Sequence, residues 1–236
     1  MAHYFFPADR KPVVELIPST GKDKALVQNL FAFYKSIGKA TIVEKSSYGY
    51  AIVQIFEGLC QIAMMCLEKG LENKKQIDKV ACDTLGLGVG SFNALNLTGG
   101  NPITAHGLDK MHEKLMAWLK TPALLNEAVK YKTNWNIDMK DEVVEVPAEL
   151  NDRLRDELLG GNFSLASFII DLGITNIKDL DLSCKKSLSV KVPFTFMNEF
   201  GVTKAFEAVK KFNARHPTFK IPFSLEAAAK KWNLGD

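Results

Sequence analysis

Gly70-Leu-Glu-Asn-Lys-Lys-Gln-Ile-Asp78 has a counterpart 103 positions on (173 − 70 = 103), Gly173-Ile-Thr-Asn-Ile-Lys-Asp-Leu-Asp181, with Gly, Asn, an apolar residue and Asp at the same intervals. A glycine followed three places on by asparagine stops one helix and caps the next, so a single occurrence signals only a joint between two helices. A second pair of segments, Phe92-Asn-Ala-Leu-Asn-Leu-Thr-Gly99 and Phe194-Thr-Phe-Met-Asn-Glu-Phe-Gly201, follows in the same order, each ending in a glycine before a helical stretch. Two matched segments in register predict a duplicated helical unit.

Around these segments the hydrophobic pattern reads as helix at about 50–69, 74–84 and 105–120, with glycines between. The first is apolar nearly all round, as expected of the central helix of a bundle, and Gln54, Glu57 and Gln61 within it argue against a membrane span. Residues 122–146, with Pro122 and mixed charge, read as the connector between a first unit at 47–121 and a second at 147–236.

Residues 1–46 have a different character. Val13-Val-Glu-Leu-Ile17 is a strand that stops at Pro18, and 22–37 is an amphipathic helix with Leu26, Leu30, Phe33 and Ile37 at helical spacing. Ala40 to Val43 is again a strand. Two strands make a marginal sheet alone, so this piece reads as the cut edge of a larger one.

Glu15 lies among Val13, Val14, Leu16 and Ile17, where a carboxylate is costly to bury without a partner. His3, twelve positions earlier, is a suitable partner: neutral imidazole accepts a proton near pH 7, while a carboxylate fixes its tautomer. An exposed terminal histidine and a strand glutamate facing water are the alternative, and these two residues alone favour it.

The run His3-Tyr-Phe-Phe-Pro-Ala8 followed by Val13-Val-Glu-Leu-Ile17 resembles the His-Phe-Phe-x-Pro-Ala and Val-Glu-Ile segments of 3-hydroxyacyl-CoA dehydrogenases, without a gap. The resemblance continues through 30–43, Tyr48-Gly-Tyr50 at the family's Pro-Gly-Phe, Gly70, Ile77-Asp78 and Gly88-Val-Gly-Ser-Phe92. It implies a mainly α protein: two related helical units of the 6-phosphogluconate dehydrogenase C-terminal type, preceded by a strand-helix-strand remnant of a Rossmann domain. His3 and Glu15 would be the family's catalytic pair, with His3 the general base in oxidation of a 3-hydroxyacyl-CoA to the 3-ketoacyl-CoA, as in fatty-acid β-oxidation. NAD would be the cofactor of the full-length parent, and this chain alone would bind none and be inactive.

The family's substrate-contacting Asn and the following Arg fall on Val53 and Gln54 here, leaving Asn93, Asn96 and Asn101 as the polar candidates nearest along the chain. The expected partners are an acyl-CoA, the missing N-terminal Rossmann domain and a second copy in a homodimer; Lys110 or Lys114 could meet a CoA phosphate. A Met1 directly before Ala2-His3 suits an expressed piece of a longer protein. The rival readings are a non-catalytic acyl-CoA-binding or dimerisation module, favoured by Val53, and a piece of a multifunctional dehydrogenase and enoyl-CoA hydratase.

Other features exclude functions. Gly86, Gly88 and Gly90 follow a helix and miss the third glycine of a dinucleotide fingerprint, so they read as a turn between helices. His106 and His112 lack i, i+4 metal spacing. A net charge of +3 with dispersed lysines gives no nucleic-acid signature. Four cysteines without C-x-x-C spacing fit reduced thiols in the cytoplasm.

Overall fold

The computed structural model describes residues 1–19, 24–71, 73–97, 100–135, 137 and 143–231. A small sheet opens the chain: β1 (Ala2–Tyr4), β2 (Val13–Leu16) and β3 (Ala40–Val43), in the order β1-β2-β3, with α1 (Lys24–Ser36) between the last two. β1 runs antiparallel to β2 and β3 runs parallel to it. The sheet therefore has three strands, one more than the hydrophobic runs alone suggest, because three residues carry too little pattern to be read as β1.

Only one side of α1 meets this sheet. Val14, Leu16 and Tyr34 form a small core to which Leu30 adds. Leu26, Phe33 and Ile37, predicted to share the buried face with Leu30, are each more than half exposed. Three strands are too narrow to cover the whole apolar surface of α1, so part of it is left open to solvent.

The rest is helical: α2 (Ala51–Glu68), α3 (Lys74–Leu85), α4 (Ser91–Leu97), α5 (Asn101–Lys114) and α6 (Ala123–Tyr131), then α7 (Ala148–Asp171), α8 (Ile177–Ser187), α9 (Pro193–Phe200), α10 (Val202–Arg215) and α11 (Phe223–Lys231). The second five repeat the first five. Lys74 and Ile177, which open α3 and α8, are 103 apart (177 − 74), whereas Ala123 and Phe223, which open α6 and α11, are 100 apart (223 − 123). The joints repeat as well. Gly70 and Gly173 take the left-handed conformation at φ 67° and 62°. Asn73 caps α3 through Gln76 N–H, and Asn176 caps α8 through Asp179 N–H. Asp78 accepts the Phe92 and Asn93 amides at the start of α4, and Asp181 accepts those of Phe194 and Thr195 at the start of α9.

Two differences from the sequence expectations have physical causes. The helix expected at 105–120 begins at Asn101, with Pro102 in its first turn, and ends at Lys114. Beyond it Gln61 of α2 donates to the carbonyls of Trp118 and Lys120 and holds that segment as a turn. The stretch read as connector contains α6, the counterpart of α11, so the link between units is shorter than 122–146.

α2 and α7 cross at the centre, and one continuous apolar core runs through both units. α2 is long and apolar enough to cross a membrane by length and composition, yet 72% of it is buried inside the protein. All four cysteines are free.

Candidate active site

The register of β1 against β2 places His3 directly opposite Glu15. Side chains of directly opposed residues project from the same face, so twelve residues of sequence separation become a contact. His3 Nδ1 lies 2.5 Å from Glu15 Oε2. The Glu15 side chain is 1% exposed and that of His3 25%. The imidazole packs against Tyr50, with ring centroids 4.8 Å apart. Among the described residues no hydrogen-bond partner meets His3 Nε2. Burial lowers the His3 pKa from its usual value, which keeps the ring neutral and basic at pH 7.

Glu15 is held from a second side: Ile52 N–H, in the first turn of α2, donates to Oε1 at 3.0 Å. A second carboxyl, missed in the sequence, stands beside it. Glu44 follows β3, is 2% exposed, and accepts the Ala51 N–H at 3.0 Å through Oε2. Both acids thus sit on the N-terminus of α2, where unpaired amides and the helix dipole favour negative charge. The available signal was an acidic residue at the end of an apolar strand, which ordinarily marks only the return to solvent.

The turn into α2 is fixed by Gln54. Its side-chain amide donates to Ser47 Oγ and to the carbonyls of Tyr48 and Gly49, and Gly49 adopts φ 64°. Gln54 thus shapes the backbone beside His3. Val53 is half-buried against the core and offers no hydrogen bond.

An apolar groove of about 330 Å³ begins two residues beyond His3, lined by Phe5, Phe6, Phe56, Leu87, Val89 and Leu97 among others. Ser91, Ala94 and Leu97 are its contribution from α4. None of Asn93, Asn96 and Asn101 lines it. Asn96 accepts the Trp135 backbone N–H, and Asn101 accepts the Trp135 indole N–H while donating to the Thr133 carbonyl. Both are occupied in fixing Trp135, and Asn93 is joined to Asp78 through its backbone amide. Asn96 and Asn101 meet Trp135 because the chain doubles back at 133–135, which proximity in sequence could not reveal. Lys110 pairs with Glu113 on an exposed face of α5.

Residues 1–47 match the family model described as 3-hydroxyacyl-CoA dehydrogenase, NAD binding domain. The L-carnitine dehydrogenase of Oceanobacillus iheyensis is 26% identical over 166 residues, covering 67% of this chain and 50% of that protein. A glyoxysomal fatty acid beta-oxidation multifunctional protein of Brassica napus is 30% identical over 98 residues, 42% of this chain and 13% of that protein. The 3-hydroxybutyryl-CoA dehydrogenase of Escherichia coli superposes with a TM-score of 0.83 over 98% of this chain and 70% of that one, at 12% identity, which speaks for the fold.

The chain is thus similar to the 3-hydroxyacyl-CoA dehydrogenase family, by the family model over residues 1–47 and by a relative over 166 residues.

The match to the L-carnitine dehydrogenase spans half of that relative's length. The matched family domain binds NAD, and a pyrophosphate is held in such domains by a cradle of a kind that Gly86, Gly88 and Gly90 do not form. That cradle is a glycine-rich turn from a first strand into a helix, whereas Gly86 is the left-handed end of α3 and Gly90 is packed under Asp78, directly before α4. Among the described residues no group of three His, Cys, Asp or Glu side chains could hold a metal ion.

Proposed function

We propose that this chain is the C-terminal part of an NAD-dependent 3-hydroxyacyl-CoA dehydrogenase, in which His3 is the base that takes the 3-hydroxyl proton and Glu15 orients it and balances its charge. The observation that carries this reading is the 2.5 Å contact of His3 Nδ1 with buried Glu15, which leaves Nε2 as the ring nitrogen not engaged by the carboxylate. A carboxylate at Nδ1 holds the proton there, so Nε2 carries the lone pair that accepts. The groove beyond Phe5 has the volume and apolar lining to take an acyl chain. The exposed face of α1 gives the remainder of an NAD-binding domain a surface to cover, and the hydride acceptor belongs to that remainder.

The test is NAD-coupled oxidation of a short 3-hydroxyacyl-CoA by this chain alone and by a version extended through a complete NAD-binding domain. Turnover is expected only in the extended protein, where His3→Ala should lower kcat by about 10²–10⁴-fold, the usual worth of a positioned base. Undiminished turnover in that variant would remove His3 from the chemistry. Acyl-CoA binding without turnover in either form would instead support a binding module, with Val53 as its mark.

A further inference from the structure

Glu15 and Glu44 reach the same helix end with one oxygen each, and their remaining oxygens are unequal. Glu15 Oε2 meets His3 Nδ1. Glu44 Oε1 is buried and, among the described residues, has no donor. The two carboxyls accept the adjacent amides of Ala51 and Ile52 and so stand side by side at the start of α2. Two carboxylates in contact do not both ionise, since each charge raises the cost of the other in a dry site. A single proton on Glu44 Oε1, donated to Glu15, satisfies the unpaired oxygen and removes the repulsion.

We propose that Glu44 is the protonated member of a Glu15–Glu44 pair and acts as a positioning residue, fixing Glu15 as the anion and thereby His3 as the Nδ1–H tautomer. The location of the proton decides what His3 can do. Were it on Glu15 facing His3, Nδ1 would become the acceptor and Nε2 the N–H, and Nε2 could no longer take a proton.

Burial raises the pKa of both acids. At Glu15 the hydrogen bond from Glu44 and the Ile52 amide pull back against it, whereas at Glu44 the charge of Glu15 adds to burial and pushes it up to about 9. The other groups facing the pair do not disturb this assignment. From α2 come the backbone amides of Ala51 and Ile52, from β1 the His3 ring, and from α8 the Cys184 thiol, which burial raises well above its usual value and keeps neutral, with Asp181 near that thiol.

The role of Glu44 rests on reading His3 as a base, but the proton is located without substrate, so the two ideas fail separately. In this chain labelled with ¹³C at glutamate carboxyls and ¹⁵N at histidine, the through-bond-assigned Glu44 carboxyl should titrate above pH 8 while His3 shows a protonated Nδ1 at neutral pH. Glu44→Gln, which keeps a donor and no charge, should leave the His3 midpoint in place. A Glu44 midpoint in the ordinary range of about 4–5, or a fall of about one unit or more in the His3 midpoint in Glu44→Gln, as expected on losing a nearby anion, overturns the proposal. The wild-type titration decides the matter even if the variant does not fold.

Discussion

The backbone of Gly161 in α7 lies so close beneath Ile62 of α2 that a methyl group on it would come within 2.6 Å of Ile62 Cδ1. The reverse contact exists too: Gly58 of α2 lies beneath Leu165 of α7 and has no room for a Cβ. Gly58 to Gly161 and Ile62 to Leu165 are both 103 positions (161 − 58 and 165 − 62), the offset of the sequence repeat. Each unit thus presents the same glycine to the other's equivalent aliphatic residue, the reciprocal pattern of a two-fold interface, here within one chain.

This crossing makes a prediction whose sign is informative. Gly→Ala inside a helix ordinarily stabilises by about 1 kcal/mol, yet Gly161→Ala should destabilise the protein by about 1–2 kcal/mol through overpacking. Ile62→Val removes Cδ1 and should cost about 1 kcal/mol alone. Combined with Gly161→Ala it should cost less than the sum, as read by urea denaturation of the four proteins in the cycle. Additive costs would mean that the two helices do not cross at this pair.

Glu57 supplies a pH dependence. It is 3% exposed, its Oε2 has no hydrogen-bond partner among the described residues, and it fills the space left by Gly107. Burial pushes its pKa up to about 8. A folded value above the unfolded one means that the native state binds the proton more tightly, so this contribution to stability is complete below about pH 4.5 and is lost as pH rises through about 8. Glu57→Gln should flatten that fall and raise stability at pH 9 by about 1–3 kcal/mol, the cost of a buried unsatisfied group. Parallel curves of urea midpoint against pH for the two proteins would show that Glu57 is solvated.

A second His–Glu pair differs from the first in its surroundings. His216 Nε2 lies 2.7 Å from Glu157 Oε2, while Arg215 Nε lies 2.7 Å and Lys69 Nζ 3.7 Å from Oε1. The histidine and glutamate side chains are only 7% and 6% exposed, and Phe212 packs on the imidazole at 4.4 Å. Burial raises Glu157, but the His216 hydrogen bond and the charges of Arg215, His216 and Lys69 outweigh it and hold the carboxyl below the usual range. With a depressed folded value, this stability is present above about pH 4.5 and lost as pH falls further. Glu157→Gln should cost about 3 kcal/mol at pH 7, the low end for breaking a buried pair because Arg215 and Lys69 stay over a third exposed. The cost should shrink towards pH 3, and a constant deficit across that range of thermal melts would assign the loss to packing instead.

The repeat was legible because its carriers are turn and cap residues, whose requirements are local. Gly70 and Gly173 must adopt positive φ, and Asn73 and Asn176 must cap the next helix, whatever the distant chain does. α4 was not legible: its seven residues span two turns, too few for a hydrophobic period. β1 and the exposure of Phe33 and Ile37 were hidden for a related reason, since apolar residues in a pattern state that a face seeks cover without stating what covers it.

In the candidate site the sequence by itself determined that His3 and Glu15 are candidates and that Val53 and Gln54 stand where the family has Asn and Arg, because residue identity and spacing along the chain are sequence properties. Only the tertiary structure decided that His3 faces Glu15 across the β1–β2 register, that Asn96 and Asn101 are committed to Trp135, and that Glu44 joins Glu15 at the start of α2. Those contacts bridge 7 to 39 residues of sequence. Strand register and helix placement are set by burial summed over the whole core, which no short stretch of sequence contains.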